Sequence, residues 1–320
     1  MVVAIHARAY VNLSTEAAKF IGPIVSLVAV PIFFLCDGFL FVHARILKQQ
    51  FNYRHYLTSS ARRLIIPWVV FSLLYLAVRW VAEAGGILNE ELVVGHDMSA
   101  LLTAVYGSAI APQMYFLLSL FLIRTLTVCS RYLATVTIPV VWIVFFVYSF
   151  LFREVIAGPL RSALAIDLDP IRHAFWGFQY YLLGAVLARH HAHIARSIKS
   201  FACAALAVCC LTLALGGLER SLAILQYNYI LCAYFVFLAV AQRENPLSRM
   251  GRNSMGIYLL HAPVLVKGAS EIVCAFIAQP ILSYFVIIAL TTIAAYLTTL
   301  FIRQIPYGTV IFGEIARKSK

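Results

Sequence analysis

Four groups of side chains in this sequence have the types and settings that chemistry needs. His6 closes the apolar run Val2-Val3-Ala4-Ile5, and imidazole takes up and releases a proton near neutral pH. His261 lies in Ile257-Tyr258-Leu259-Leu260-His261-Ala262-Pro263, where Pro263 removes a backbone donor and can kink a helix. Asp37 stands inside an apolar stretch, where a charge is costly and reads as functional by default. Arg62-Arg63 precede Leu64-Ile65-Ile66-Pro67-Trp68, and guanidinium forks suit phosphate groups. Each group also has a plainer reading: the histidines as hydrogen-bonded braces between helices, the arginine pair as an anchor at a membrane face. His190-His191-x-His193 resembles a metal cluster, yet no Cys or carboxylate accompanies it and its loop is basic. No metal is therefore expected. The sequence shows no Gly-x-Ser-x-Gly elbow, phosphate-binding loop or dinucleotide fingerprint, which weighs against a serine hydrolase or a nucleotide-driven pump.

The elements that must position these groups follow from composition. The chain has 320 residues, 62% of them hydrophobic and 12% charged, with a mean hydropathy of +0.89. A soluble domain is about 45–50% apolar and about 25% charged. A soluble enzyme, a disordered chain and a disulfide scaffold are excluded. Lipid accepts only helices or closed barrels, and barrel strands alternate in polarity over about ten residues. Here the apolar stretches are continuous over about twenty, the length of a spanning helix. The expected fold is all-α, a polytopic transmembrane helix bundle forming one integral membrane domain over residues 1–320. Nine full spans are read near 21–42, 64–82, 114–129, 136–152, 174–188, 201–215, 222–241, 255–266 and 281–302. Residues 1–7 look like the tail of a tenth. The seven Cys lie in apolar stretches without CxxC spacing and read as small buried hydrophobes.

The net charge of +12 is read as topology, with no nucleic-acid partner. Alternate connections, beginning with residues 45–63 and ending with 303–320, hold 16 basic residues against two acids. The opposite connections hold seven basic residues and ten acids. Lys and Arg collect on the cytoplasmic side, so the C-terminus is expected inside. Three charges remain within spans. Arg79 and Arg124 lie near span ends and can snorkel. Asp37, about 9 Å from the basic end of its helix, is too short to do so.

Several segments together resemble acyltransferase family 3, the multi-span bacterial membrane O-acyltransferases. Val2-Val3-Ala4-Ile5-His6-Ala7 resembles the end of the family's first helix, which carries its essential histidine. Val30-Pro31-Ile32-Phe33-Phe34-Leu35-Cys36-Asp37-Gly38-Phe39-Leu40 resembles the family's Val-Pro, double-Phe, Ser-Gly segment, with Asp37 where Ser is usual. Arg62-Arg63-Leu64-Ile65-Ile66-Pro67-Trp68 resembles the start of its third helix. Tyr115-Phe116 stands where a Trp-Phe pair is usual, and Gln113 where a His often precedes it. Ser254-Met255-Gly256-Ile257-Tyr258-Leu259-Leu260-His261-Ala262-Pro263 resembles the Ser-x-x-Ile-Tyr-x-x-His-x-Pro segment. The matches occur in family order over nearly the whole chain. The family also has an arginine eleven positions before the histidine, so the front of the first helix is expected upstream of Met1.

The resemblance implies ten helices, with the first truncated here, in a bacterial inner membrane. It implies transfer of an acyl group, acetyl or alternatively succinyl, from acyl-coenzyme A to a hydroxyl of an envelope or exported glycan or its lipid-linked precursor. His6 would act as general base or as an acyl relay, with Asp37 orienting it. Arg62 and Arg63, with Arg54 more loosely, would hold acetyl-coenzyme A. Tyr258, His261, Gln113 and Tyr115 would shape the acceptor's channel. A glycan-intermediate flippase without acyl transfer and an inactive structural relative are the alternatives.

Overall fold

The computed structural model describes residues 2–46, 51–88, 92–106, 109–127, 140, 143, 144, 147, 169–214, 223–240 and 250–314. Of residues 15–20, 22–24, 26–27, 169, 212–214, 223–226 and 240, only the backbone is described. Among them there is no strand. Helix α1 is Val2–Ala7, α2 Thr15–Phe41, α3 Tyr53–Ala84, α4 Met98–Tyr106 and α5 Tyr115–Thr125. Helix α6 is Asp169–Arg189, α7 His191–Arg196, α8 Ile198–Ala214 and α9 Ala223–Val240. Helix α10 is Ser254–Leu260, α11 Val266–Phe276, α12 Pro280–Gln304 and α13 Gly308–Ile311. The chain forms two compact units, each drawn from separate stretches of the sequence. One comprises Met1–Gln49, Ser130–Phe146 and Tyr180–Leu300; the other comprises Gln50–Cys129, Val147–Gln179 and Phe301–Lys320.

Four described helical stretches are long and apolar enough to cross a membrane: Val28–Ile46, Tyr53–Ala84, Ser254–Phe276 and Pro280–Gln304. The nine full spans read from the sequence are therefore matched in part. The stretches expected at 114–129, 174–188, 201–215 and 222–241 are helical where described, in α5, α6, α8 and α9. The one expected at 136–152 lies almost wholly outside the described residues. The span expected to stop at Val266 continues to Phe276. Pro263 costs that helix one turn rather than its end, because the backbone recovers helical geometry at Val266.

The polarity of α12 is inside-out. Thr291 and Thr299 are fully buried, while Phe285, Ile293, Leu297 and Phe301 on the same helix are more than half exposed. Leu73, Trp80 and Val81 are likewise exposed on α3, whereas Ser60 and Ser72 are buried. Water would favour the reverse arrangement. A surface this apolar needs lipid around it, and the inward Thr299 hydroxyl donates to the Ala295 carbonyl (2.7 Å). Cys36, Cys203, Cys210 and Cys274 also lie on the exposed surface, against the expectation of burial; Cys209 and Cys232 are buried.

In the first unit, α2 and α6 touch through glycine. A Cβ on Gly38 would lie 1.9 Å from the Tyr181 carbonyl oxygen, and one on Gly184 would lie 1.9 Å from that of Leu35. Each glycine faces the carbonyl three residues before the other. Past the C-terminal ends of both helices His43 meets His191, so the two helices run the same way.

In the second unit, Glu83 ends α3 as an anchor for the following loop. Its Oε1 accepts from Arg79 Nε (2.6 Å) and the Leu92 N–H (3.0 Å). Its Oε2 accepts from the N–H groups of Val93 (2.9 Å) and Val94 (3.0 Å). Replacing Glu83 with Ala strands those donors, each unsatisfied buried group costing about 1–3 kcal/mol until water reaches it. The expected result is a lower unfolding temperature and faster proteolytic nicking of the loop around residues 92–97; an unchanged digestion pattern would contradict this anchoring.

Helix α4 begins with a cap of the preferred kind. Asp97 Oδ1 accepts from the Ala100 N–H (2.8 Å) and the Ser99 hydroxyl (3.0 Å). The Ala100 N–H, with the Ser99 hydroxyl, holds the Asp97 carboxyl below its ordinary pKa of 3.8. A depressed pKa in the fold means stability that is present above pH 3.8 and lost as the pH falls through the lower folded value. Amide exchange over the first turn of α4 should accelerate as the medium is acidified below that point. With Asp97→Asn the acceleration should vanish.

Candidate functional site

His6 is carried by α1, whose buried Ala4 and Ala7 pack with Ala262, Val266, Val273, Tyr284 and Ile287. The Tyr284 hydroxyl donates to the Ala4 carbonyl at 3.1 Å, tying α1 to α12. His6 is half-buried, and its ring meets that of His261, with centroids 5.1 Å apart and planes at 60°. His261 is fully buried. It opens the turn between α10 and α11, where Ala262 departs from helical geometry (φ −128°, ψ 152°). The cause is local: the residue before a proline is pushed toward extended backbone.

His261 Nδ1 lies 2.6 Å from the Tyr258 carbonyl oxygen, so that nitrogen carries the proton and donates. Nε2 then holds the lone pair, and it is buried without a hydrogen-bond partner among the described residues. Tyr258 is buried and meets both His261 (5.8 Å between ring centroids) and Phe33 of α2 (6.4 Å). The structure thus brings together three residues read from the sequence: His6, His261 and Tyr258.

Asp37, read from the sequence as orienting His6, lies one turn beyond Phe33 on α2. The ring that meets His6 is that of His261.

The other expected site residues belong to the second unit. Arg62 and Arg63 are exposed near the start of α3, and among the described residues neither pairs with a carboxylate. Two open guanidinium groups on successive residues suit a polyanion. Arg54 is exposed at the second position of the same helix. Arg124 of α5 reaches the same stretch of α3, with its guanidinium 5.9 Å from the Tyr56 ring centroid and 3.3 Å from the Ser60 hydroxyl. Gln113 is buried, within hydrogen-bonding reach of Tyr75. Tyr115 stacks on His173 of α6 (centroids 4.1 Å apart, planes at 28°).

His190, His191 and His193 diverge. His190 and His193 are exposed. His191 turns toward His43 (5.1 Å between ring centroids) and Phe39 (5.2 Å). Burial, with the neighbouring His43, lowers the His191 pKa.

Sequence reasoning missed two contributors. One is His173, whose only sequence mark is a helix start after Asp169-Pro170. The other is the segment after α12: the backbone of Gly313 approaches the backbone of Arg62 and Arg63. Its signal was a glycine three residues beyond Val310, too weak to assign.

Helices with apolar residues turned outward and hydroxyls turned inward have the character of a membrane protein, and His6 and His261 meet within it. Residues 1–300 match the family described as acyltransferase domain, and the chain belongs to acyltransferase family 3. No curated protein and no solved structure matches it.

Proposed function

We propose that the protein moves an acetyl group from acetyl-coenzyme A to a hydroxyl of an envelope or exported glycan, at a bacterial inner membrane. The observation that carries this reading is the His6–His261 pair in a chain with an acyltransferase domain. With Nδ1 committed to Tyr258, His261 keeps its Nε2 lone pair unengaged beside the His6 ring, and a small shift would let it accept from an N–H of His6. That would fix the His6 tautomer and leave its other nitrogen free to accept a proton.

In the transfer, His6 takes the proton of the acceptor hydroxyl as its oxygen attacks the thioester carbonyl. The carbon–sulfur bond breaks, the ester forms, and the departing thiolate takes up the proton from His6. Buried His261 can share the positive charge that His6 carries in between. Arg62 and Arg63 would grip the phosphates of the donor, on the face that the excess of Lys and Arg assigns to the cytoplasm. Tyr258 would line the acceptor's approach to His6.

Purified protein in lipid nanodiscs with labelled acetyl-coenzyme A provides the test. Acceptor-dependent release of coenzyme A, with label on the glycan, is expected. Glycan crossing the bilayer with the thioester intact would overturn the reading in favour of transport.

A further inference from the structure

Beyond residue 300, where the family match ends, the chain returns to α3. After α12 the chain turns back through Tyr307, in left-handed backbone at φ 64°. Helix α13 follows, and Gly313 comes to rest against α3. A Cβ on Gly313 would lie 2.6 Å from Arg63 Cα, 2.7 Å from the Arg63 carbonyl oxygen and 2.9 Å from that of Arg62. These are backbone atoms that cannot turn aside. Gly313 also has a φ of 71°, which side chains disfavour. Two further contacts clamp the segment. Phe312 is buried and stacks on Phe71 of α3 (6.1 Å between ring centroids, 26° between planes). Glu314 forms an ion pair with Arg303.

We propose that this segment is a strap that sets the direction of Arg62 and Arg63 for the phosphates of the acyl donor, with Gly313 as the positioning residue. The inference rests on the donor-site reading given above. The strap leaves the two guanidinium groups exposed while fixing the backbone that carries them. Its one carboxylate, Glu314, is engaged by Arg303 rather than by the arginine pair. The strap therefore adds rigidity without neutralising the charges that would hold the donor.

The test measures binding of coenzyme A itself to detergent-purified full-length variants, alongside steady-state transfer. Gly313→Ala should weaken coenzyme A binding by about tenfold and raise the donor KM by a similar factor, because small misplacements of a gripping group are costly. The kcat at saturating donor and the acceptor KM should stay near wild type, as expected when uniform binding is lost. Glu314→Gln is the milder variant and should shift the donor KM the same way, by less. It decides the matter if Gly313→Ala fails to insert. Arg62→Ala/Arg63→Ala separates the two proposals. If that double variant binds coenzyme A normally, the donor-site reading fails. If it loses binding while Gly313→Ala, or Glu314→Gln in its place, retains wild-type affinity and KM, the strap is overturned.

Discussion

His6→Ala is expected to lower acetyl transfer by about 10²–10⁴-fold, the range contributed by a positioned general base. Protein yield and membrane insertion should change little. The α1 helix is held by Ala4, Ala7 and the Tyr284 hydroxyl on the Ala4 carbonyl, none of which the substitution touches. Initial rates of label transfer from acetyl-coenzyme A, normalised to inserted protein, are the measurement; wild-type turnover would remove His6 from the chemistry. His261→Asn should fall between wild type and His6→Ala. It keeps a polar group in the buried turn but removes the lone pair that the 2.6 Å bond from Nδ1 to Tyr258 leaves available. Because His261 acts through His6, its loss should also move the pH dependence of the rate, which a merely packing role would not.

The largest structural effect is expected at the crossing of α2 and α6. Gly184→Leu sets a branched side chain where even a Cβ would sit 1.9 Å from the Leu35 carbonyl oxygen. Overpacking typically costs about 1–3 kcal/mol where neighbours can shift, and more where they cannot. Here the obstacle is a helix backbone, so the loss should reach at least about 3 kcal/mol. Gly38→Ala, facing the Tyr181 carbonyl at the same 1.9 Å, should cost less but in the same direction. Thermal unfolding in detergent checks both. A Gly184→Leu protein that melts like wild type would show that the helices do not meet at this point.

Much of the helical frame was legible because apolar length is a one-dimensional property. The stretches that became α2, α3, α9 and α12 stand out by run length alone. What was not legible is decided in the third dimension. His6 and His261 were each read singly, while their contact joins residues 255 positions apart in sequence, and no spacing rule links residues so distant. The last residues of the eighth span were lost because Pro263 and Lys267 look like the end of a helix. One interrupted turn and a resumed α11 give the same local pattern. Glu83 looked like one acid among ten on its side of the chain. Its role as an anchor depends on three amides nine to eleven residues downstream, a loop closure that composition does not encode. The arginine pair stands out by type, while the close approach of Gly313 to its backbone was invisible, since a glycine's value there lies in what it omits.

The paired glycines of α2 and α6 have a mechanical meaning. Two rods held by mutual backbone contact behave like riveted bars: they swivel about the joint but do not slide. A transport cycle that pistons one of these helices past the other would have to lift a carbonyl out of each notch at every stroke. Movement in this unit is then rotation about the joint rather than travel along it.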